Sequence, residues 1–354
     1  MSTVKFRIIA AFAAFTLLII GCSKELIVNA PWKDVSVIYG ILDKTTDTNY
    51  IRIHRGYLGD EGFAGGNNEP DSLYYKEPNV KIEYYLNGAL VNSFDLVKDE
   101  SIELDSGFFT TEEYRTYRLD QPLQNLGEYK LVVEKSELGL NDVYATTPIV
   151  RDFGIDRPNQ NQRINYTALN GLKIQWESTR NGRLYEVRTR LHYMEMSLAN
   201  DKDTTVHSVD FVHSTRTSSG LTGGQAFVAV IDYDSYYRFL SSNIPVDTSV
   251  IRFYRGTDII ISSAADEFTT YMNVNAPANT VVQDRPHFTN IMGGDGANAG
   301  IFSSMNAAMN YRMELTDDSM DSLVQSMLTC DLQFADRIGQ DTVYCQGGLY
   351  PIFK

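Results

Sequence analysis

The sequence predicts a mainly β protein with two sandwich-type domains and a few short helices. Short segments in which apolar and polar residues alternate recur along most of the chain, and turn-forming residues separate them. An apolar content of 43% is enough to fill hydrophobic cores. The length of 354 residues suits about two domains behind a short leader.

The N-terminus predicts a cleaved and lipid-anchored start. Two basic residues precede an apolar run at residues 8–20, which is too short for a membrane span because a spanning helix needs about 20 apolar residues. Residues 18–22, LIIGC, resemble the lipobox of bacterial lipoproteins. The resemblance implies a signal peptide at residues 1–21, cleavage before Cys22 and acylation of the Cys22 sulfur. An ordinary signal peptide with a free cysteine is the alternative.

Residues 22–34 lack periodicity and predict a lipidated tether. Acyl chains on Cys22 would hold this tether in the outer membrane, since each buried methylene contributes about 0.8 kcal/mol. Ser23, Lys24 and Glu25 resemble the surface-export signals of Bacteroidota lipoproteins. We therefore expect the cell surface, with the periplasmic leaflet as the alternative location.

The negative charge of the chain argues against anionic binding partners. The net charge is −14 at pH 7, and removal of the leader would take away two further cations. Binding to nucleic acid or to anionic lipid headgroups needs clustered cations, so neither is an expected ligand. Solubility is a sufficient explanation for the acidity.

The remaining cysteines, Cys330 and Cys345, predict a structural disulfide if Cys22 is acylated and the compartment is oxidising. Such a bridge contributes about 3 kcal/mol in the chain-entropy account. A metal site or a redox pair is the alternative, but no histidine lies nearby and the spacing matches no zinc motif. The sequence predicts no metal and no cofactor.

Residues 35–150 predict the first sandwich domain, and the run at 123–133 resembles a late strand pair of an immunoglobulin-like domain. A polar loop at 59–72 interrupts it. Loops of this length are uncommon without a role, so Asn67 and Asn68 are candidate binding residues. A solvated connection is the alternative.

The clearest element of this domain is a hairpin centred on Asn87 and Gly88. These residues favour the positive φ angles of a type I′ turn. The two-residue loop predicts cross-strand pairs, namely Leu86 with Ala89 and Tyr84 with Val91.

Residues 151–165 are polar and predict a linker, and residues 166–316 predict a second β-rich domain. Trp176 on an early strand, followed by a long strand with one apolar face, resembles a fibronectin type III-like sandwich. Residues 317–354 predict a helix and a disulfide-closed tail. The helix should cover 317–328, because apolar residues recur there at helical spacing, namely Met320, Leu323, Val324, Met327 and Leu328.

A glycine-rich segment at 287–306 is the second candidate binding loop. It is not a phosphate cradle, since no Lys-Ser/Thr follows the glycines. A tight connection that needs positive φ angles is the alternative. The candidate binding residues of this segment are Asn290, Gly293, Gly294, Asp295 and Gly296.

The same segment carries a family resemblance. Residues 290–294 (NIMGG) and 300–304 (GIFSS) resemble the closing element of a Bacteroidota outer-membrane lipoprotein family of unknown function, DUF4249. That family also begins with a lipobox and a strand like VSVIYGILD at 35–43. The spacer at 295–299 is longer than usual, and the tail from 317 is an extension. The family resembles accessory lipoproteins of TonB-dependent receptors, which implies a role in nutrient uptake.

No motif predicts catalysis, because the five histidines are scattered and no nucleophile elbow is present. We therefore expect a non-catalytic binding or accessory component of a TonB-dependent uptake system, with a glycan or a peptide as ligand. A surface glycan-binding protein is the alternative, with adjacent tyrosines as stacking surfaces. An enzyme that processes glycans or peptides stays open. The tyrosine pairs are Tyr74-Tyr75, Tyr84-Tyr85 and Tyr236-Tyr237.

Two positions are candidates for modification. Asp71-Ser72-Leu73 and Asp203-Thr204-Thr205 resemble the O-glycosylation signal of exported Bacteroidota proteins. Both lie in polar segments, so Ser72 and Thr204 are the candidate acceptors.

Overall fold

The structure is a computed structural model that describes residues 34–56, 73–101, 115–275, 288–294, 298–335, 342–345 and 348–351. Strands dominate the described residues, which confirms the mainly β class. The immunoglobulin-like and fibronectin-like details stay predictions. Several predicted site residues lie outside the described residues, namely Cys22, Asn67, Asn68, Ser72, Asp295 and Gly296.

The first half of the described chain contains strands and a single-turn 3₁₀ helix at Ser136–Leu138. Its strands are β1 (Ser36–Asp43), β2 (Thr48–Arg55), β3 (Asn79–Leu86), β4 (Ala89–Asp95), β5 (Val97–Asp99), β6 (Thr116–Asp120), β7 (Glu128–Glu134) and β8 (Val143–Pro148).

The second half contains longer strands and the α-helices. The strands are β9 (Ile155–Arg157), β10 (Leu172–Glu177), β11 (Leu184–Ser197), β12 (Thr204–Thr217), β13 (Ala226–Ile231), β14 (Val250–Ala264), β15 (Met292–Gly293), β16 (Ala299–Met313), β17 (Phe334–Ala335), β18 (Thr342–Cys345) and β19 (Gly348–Pro351). The helices are α1 (Tyr233–Asn243), α2 (Asp266–Asn275) and α3 (Asp317–Gln325).

One large sheet runs through both predicted domains. Its strand order is β12-β11-β14-β16-β1-β2-β6-β5, and β17 pairs with β14 at one end. β1 lies between β2, which is antiparallel to it, and β16, which is parallel to it. The strands predicted for residues 35–150 and for residues 166–316 are therefore hydrogen-bonded to each other.

The predicted linker at 151–165 is part of this assembly. It contains β9, which pairs with β10. Ile164 is fully buried and forms a β-bridge with Leu315. The segment predicted as a linker is therefore polar in composition but contains a short strand and two buried residues, Pro158 and Ile164.

A first hydrophobic core lies between this sheet and the sheet β15-β8-β7-β3-β4. β1 and β2 supply residues such as Ile38 and Ile51, while β3 and β7 supply Ile82 and Leu131. The alternation of buried and exposed residues follows the period of a strand with one covered face. Phe302 of β16 joins this core although it is distant in sequence.

A second core lies among β10, β11, β13 and β14 with α1 and α3. Trp176 is buried there and stacks on Phe227 at 5.3 Å between ring centroids. The predicted inward face of β11 is confirmed, since all its members are buried, namely Tyr185, Val187, Thr189, Leu191 and Tyr193.

The hairpin between β3 and β4 confirms the turn and corrects the register. Asn87 and Gly88 have φ angles of 52° and 79°. Leu86 pairs with Ala89 as predicted, but Tyr84 pairs with Asn92 because the register shifts between Tyr84 and Tyr85. The shift brings Phe94 opposite Ile82, so two apolar residues face each other across the strands.

The C-terminal helix is confirmed but ends earlier than predicted, at Gln325. Met327 lies beyond it and is 76% exposed, so its predicted place on the buried face is wrong. The segment after the helix returns to the large sheet. There the buried guanidinium of Arg252 donates a 2.7 Å hydrogen bond to the Leu332 carbonyl.

Cys330 is buried and disulfide-bonded. The strand β18, which ends at Cys345, lies against the 3₁₀ helix Cys330–Leu332. This arrangement agrees with the predicted Cys330–Cys345 bridge, although the Cys345 side chain is outside the described residues and the pairing stays a prediction.

The contact between β1 and β16 depends on Gly300, which is paired with Ile38. Gly300 has a φ angle of +93°, where side chains other than hydrogen are strained. A Cβ atom built at this position would lie 1.9 Å from the carbonyl oxygen of Ile38. Only glycine therefore allows these two strands to approach at this register.

We expect Gly300→Ala to lower the free energy of unfolding by about 3 kcal/mol or more, because the methyl group meets backbone and the φ angle is unfavourable. Gly154→Ala is the matched control, since a Cβ there meets nothing within 4 Å. Urea unfolding of both variants measures the effect. Equal stability of Gly300→Ala and the parent chain would contradict the close approach of β1 and β16.

Candidate functional site

The described part of the predicted binding segment around Asn290 connects strands. The Asn290 side-chain amide donates to the Phe302 carbonyl at 2.6 Å, and its oxygen accepts from the Phe302 amide at 3.0 Å. Gly293 pairs with β8, and the Gly294 amide donates to the Asp142 carbonyl. These contacts hold the start of β16 against the neighbouring sheet. A binding role for the segment stays a prediction.

A buried polar cluster surrounds Asp34, the last residue of the predicted tether. The Lys135 ammonium lies 2.6 Å from the Asp34 carboxylate, and neither side chain is more than 1% exposed. Tyr75 donates a hydrogen bond to the same carboxylate at 2.9 Å, and Arg55 lies 3.2 Å from it. Burial raises the pKa of the Tyr75 hydroxyl far above its ordinary value, so it stays a donor. The cluster is closed to ligands and fixes the chain to the body.

Two of the three predicted tyrosine pairs, Tyr74-Tyr75 and Tyr236-Tyr237, are buried in both members and offer no stacking surface for a sugar. In the third pair Tyr84 is buried and Tyr85 is partly exposed. The buried members are Tyr74, Tyr75, Tyr84, Tyr236 and Tyr237.

An open cleft of about 850 Å³ lies beside the second core, and it is our candidate functional site. Its floor is the start of β10 and the end of β13, where Lys173 pairs with Val230 and both side chains are exposed. One wall is the turn at residues 168–171, and the other wall is the start of α1. The volume is within the range of small-molecule sites, about 300–1,000 Å³.

The turn that forms the first wall is held rigidly. The Gly171 amide donates to the Ala168 carbonyl at 2.7 Å. Gly171 has a φ angle of +72°, and a Cβ there would lie 2.4 Å from the Ile231 carbonyl oxygen. The tip of the turn is Leu169, which is 99% exposed. The sequence therefore places a fully exposed apolar side chain at the rim of the cleft on a fixed backbone.

Tyr233 is the aromatic residue of the cleft, and buried rings support it. Its ring lies 4.6 Å from that of Tyr237, which is fully buried and donates a hydrogen bond to the Ser319 carbonyl. Tyr237 in turn contacts Tyr166, which stacks on Tyr236 at 3.7 Å. Because each ring is held by the next, Tyr233 has a defined orientation.

Charges of both signs line the cleft. Asp232 caps α1, and its carboxylate accepts a 2.9 Å hydrogen bond from the Ser235 amide. Hydrogen bonds from Ser235 lower the pKa of Asp232, so the group stays ionised. Asp234 is exposed and lies 3.7 Å from Arg238. With the Lys173 ammonium and the Asn170 amide, the cleft offers both donors and acceptors.

Other charged groups form pairs between neighbouring strands of the large sheet. Asp210 of β12 receives two hydrogen bonds from Arg190, and His192 lies 2.8 Å from Asp258. Among the described residues, no group of three or more His, Cys, Asp and Glu side chains could hold a metal ion. None of the helices in the described part of the chain has the length and apolar character of a membrane span.

The candidate modification site Thr204 is the first residue of β12 and is exposed beside the hairpin turn that follows β11. An acceptor hydroxyl must be accessible, so the position suits the prediction. Its modification stays a prediction.

Sequence reasoning missed the cleft. Asn170-Gly171 marks a turn and Asp232 marks a helix start, so both walls have local signals. The two walls are close together because β10 pairs with β13, and no local sequence pattern indicates this pairing.

A scan against models of protein families found no match, and a search of curated proteins found no relative.

We expect the protein to lose stability above pH 10 partly through Tyr166. Complete burial raises the pKa of its hydroxyl to about 12, whereas an unfolded tyrosine titrates near pH 10. The unfolded chain therefore loses this proton first as the pH rises. Stability from this group is complete below pH 10 and declines above it. Between pH 9 and 11 it accounts for a loss on the order of 1 kcal/mol.

Urea unfolding at the two pH values checks this expectation. Tyr166→Phe keeps the ring stack but removes the hydroxyl, so its loss should be smaller than that of the parent chain by this amount. Tyr311→Phe is the control, because Tyr311 is 57% exposed. An identical pH response of the Tyr166→Phe variant and the parent chain would be evidence against the raised pKa.

Proposed function

We propose that this protein is a lipid-anchored, non-catalytic binding component of the outer membrane, displayed at the cell surface and accessory to a TonB-dependent uptake receptor. The observation that carries the proposal is the lipobox-like sequence at residues 18–22 behind a short apolar run. The DUF4249-like segments at 290–294 and 300–304 support the link to nutrient uptake.

The contacts of Asp34 support the anchoring part of this proposal. The predicted tether ends at a carboxylate that is buried against Lys135 and Arg55. Breaking a buried ion pair costs about 3–5 kcal/mol, so this attachment is firm. A lipid on Cys22 would therefore act on a body that holds the last residue of the predicted tether, Asp34, in place.

Glycan binding is the second candidate function, and the cleft favours it. The cleft combines a supported aromatic ring at Tyr233 with an ammonium, an amide and carboxylates. The Asp232 carboxylate serves as the cap of α1. Binding is the activity that these side chains support.

Fractionation of cells that produce the full chain tests the proposal. We expect the parent chain in the outer membrane with fatty acids on Cys22, and we expect Cys22→Ser to leave the membrane fraction, because the acceptor sulfur is missing. Asp201→Ala, in the exposed turn between β11 and β12, should behave like the parent chain. Pull-down from detergent-solubilised membranes should recover a TonB-dependent barrel.

Two outcomes would count against the proposal. An N-terminus other than acylated Cys22 in the native protein would remove the anchor. Anchored protein that recovers no such barrel would remove the accessory role while leaving the location intact.

A further inference from the structure

We propose that the cleft between the turn at 168–171 and the start of α1 binds a neutral oligosaccharide. This inference rests on the proposed binding function and specifies its ligand and its site. A sugar presents hydroxyl groups that donate and accept hydrogen bonds at once, together with apolar faces of C–H groups. The cleft matches both properties.

The charges of the cleft favour a neutral ligand. Lys173, Asp232 and Asp234 all line the cleft, so it presents one cationic and two anionic side chains. An anionic ligand would meet these carboxylates, and a cationic ligand would meet the ammonium. Hydroxyl groups can accept from Lys173 and donate to Asp234 without carrying charge, so the charged side chains gain partners and no repulsion arises.

The apolar part of the cleft suits the face of a sugar ring. Tyr233 is partly exposed in the cleft, and Leu169 and Val230 are exposed beside it. A free, fully exposed leucine has no stabilising role in the fold, whereas against a ligand it would bury apolar area. Tyrosine suits such a binding site because its ring is apolar and its hydroxyl group can form hydrogen bonds.

The cleft is also preorganised, which lowers the entropy cost of binding. Gly171 fixes the turn against the carbonyl of Ile231. The buried ring of Tyr237 supports Tyr233 from behind. The turn at 168–171 and the ring of Tyr233 would therefore not need to rearrange when the ligand binds.

Binding of the full mature chain to an array of neutral oligosaccharides, followed by titration with a retained sugar, tests the inference. We expect retention of at least one neutral oligosaccharide. Asp234→Ala and Lys173→Met should each weaken binding at least about tenfold, because each removes a charged hydrogen-bonding group. Tyr233→Ala should also weaken it, whereas Tyr233→Phe should bind like the parent chain because it keeps the ring.

Asp201→Ala is the matched control, since Asp201 is an exposed carboxylate in the turn between β11 and β12. Thermal unfolding of every variant separates lost binding from lost folding. The inference is wrong if the array retains nothing, if only peptides or charged sugars bind, or if the cleft variants bind a neutral sugar as well as the parent chain does. Recovery of a barrel in the pull-down is independent of these results, so a failure here leaves the accessory role standing.

Discussion

The parallel pairing of β1 with β16 is the constraint on which the rest of the structure depends. β1 is the first strand after the predicted tether, and it lies inside the large sheet with hydrogen-bonded partners on both sides. The pairing needs Gly300, because no side chain fits between its Cα and the Ile38 carbonyl. One glycine is therefore required for β1 to pair with a strand that lies more than 250 residues later in the chain.

The pairing of β1 with β16 lies between the end of the predicted tether and the second core, beside which the cleft is found. Asp34, just before β1, is held by Lys135 at the end of β7 and by Arg55 at the end of β2. From β1 the sheet continues through β16 and β14 to β11, whose inner face supports the second core. The same core holds the tyrosines that orient Tyr233. The large sheet thus connects the region around Asp34 to the second core by hydrogen bonds, and the second core connects to the strands of the cleft by apolar packing.

Local features were predictable from sequence because local interactions determine them. The turn at Asn87-Gly88 follows from backbone preferences, and the inward face of β11 follows from its alternating pattern. Non-local features were not predictable in this way. The bulge that pairs Ile82 with Phe94, the burial of Ile164 and the meeting of the two cleft walls all depend on partners distant in the chain.

The candidate site residues show the same difference between local signals in the sequence and contacts that only the fold creates. Asn290 and Gly293 have an unusual local composition, yet their described contacts serve to join β16 to the adjacent sheet. The paired tyrosines are conspicuous in sequence, yet packing needs most of them in the cores. Tyr233 follows the predicted helix start at Asp232, but nothing in the sequence marks it as a binding residue. It becomes notable only because Tyr237 and the turn at 168–171 surround it.

Strands of the large sheet contribute to both cores, so we expect the two cores to unfold as a single cooperative unit. Native-state hydrogen exchange of the intact chain tests it most directly, by comparing the slowest amides of β7, beside the first core, with those of β14, beside the second. The account predicts that both sets exchange through one opening reaction with the same free energy and the same response to urea. Two separate openings, with β7 exchanging at a clearly lower free energy than β14, would contradict it.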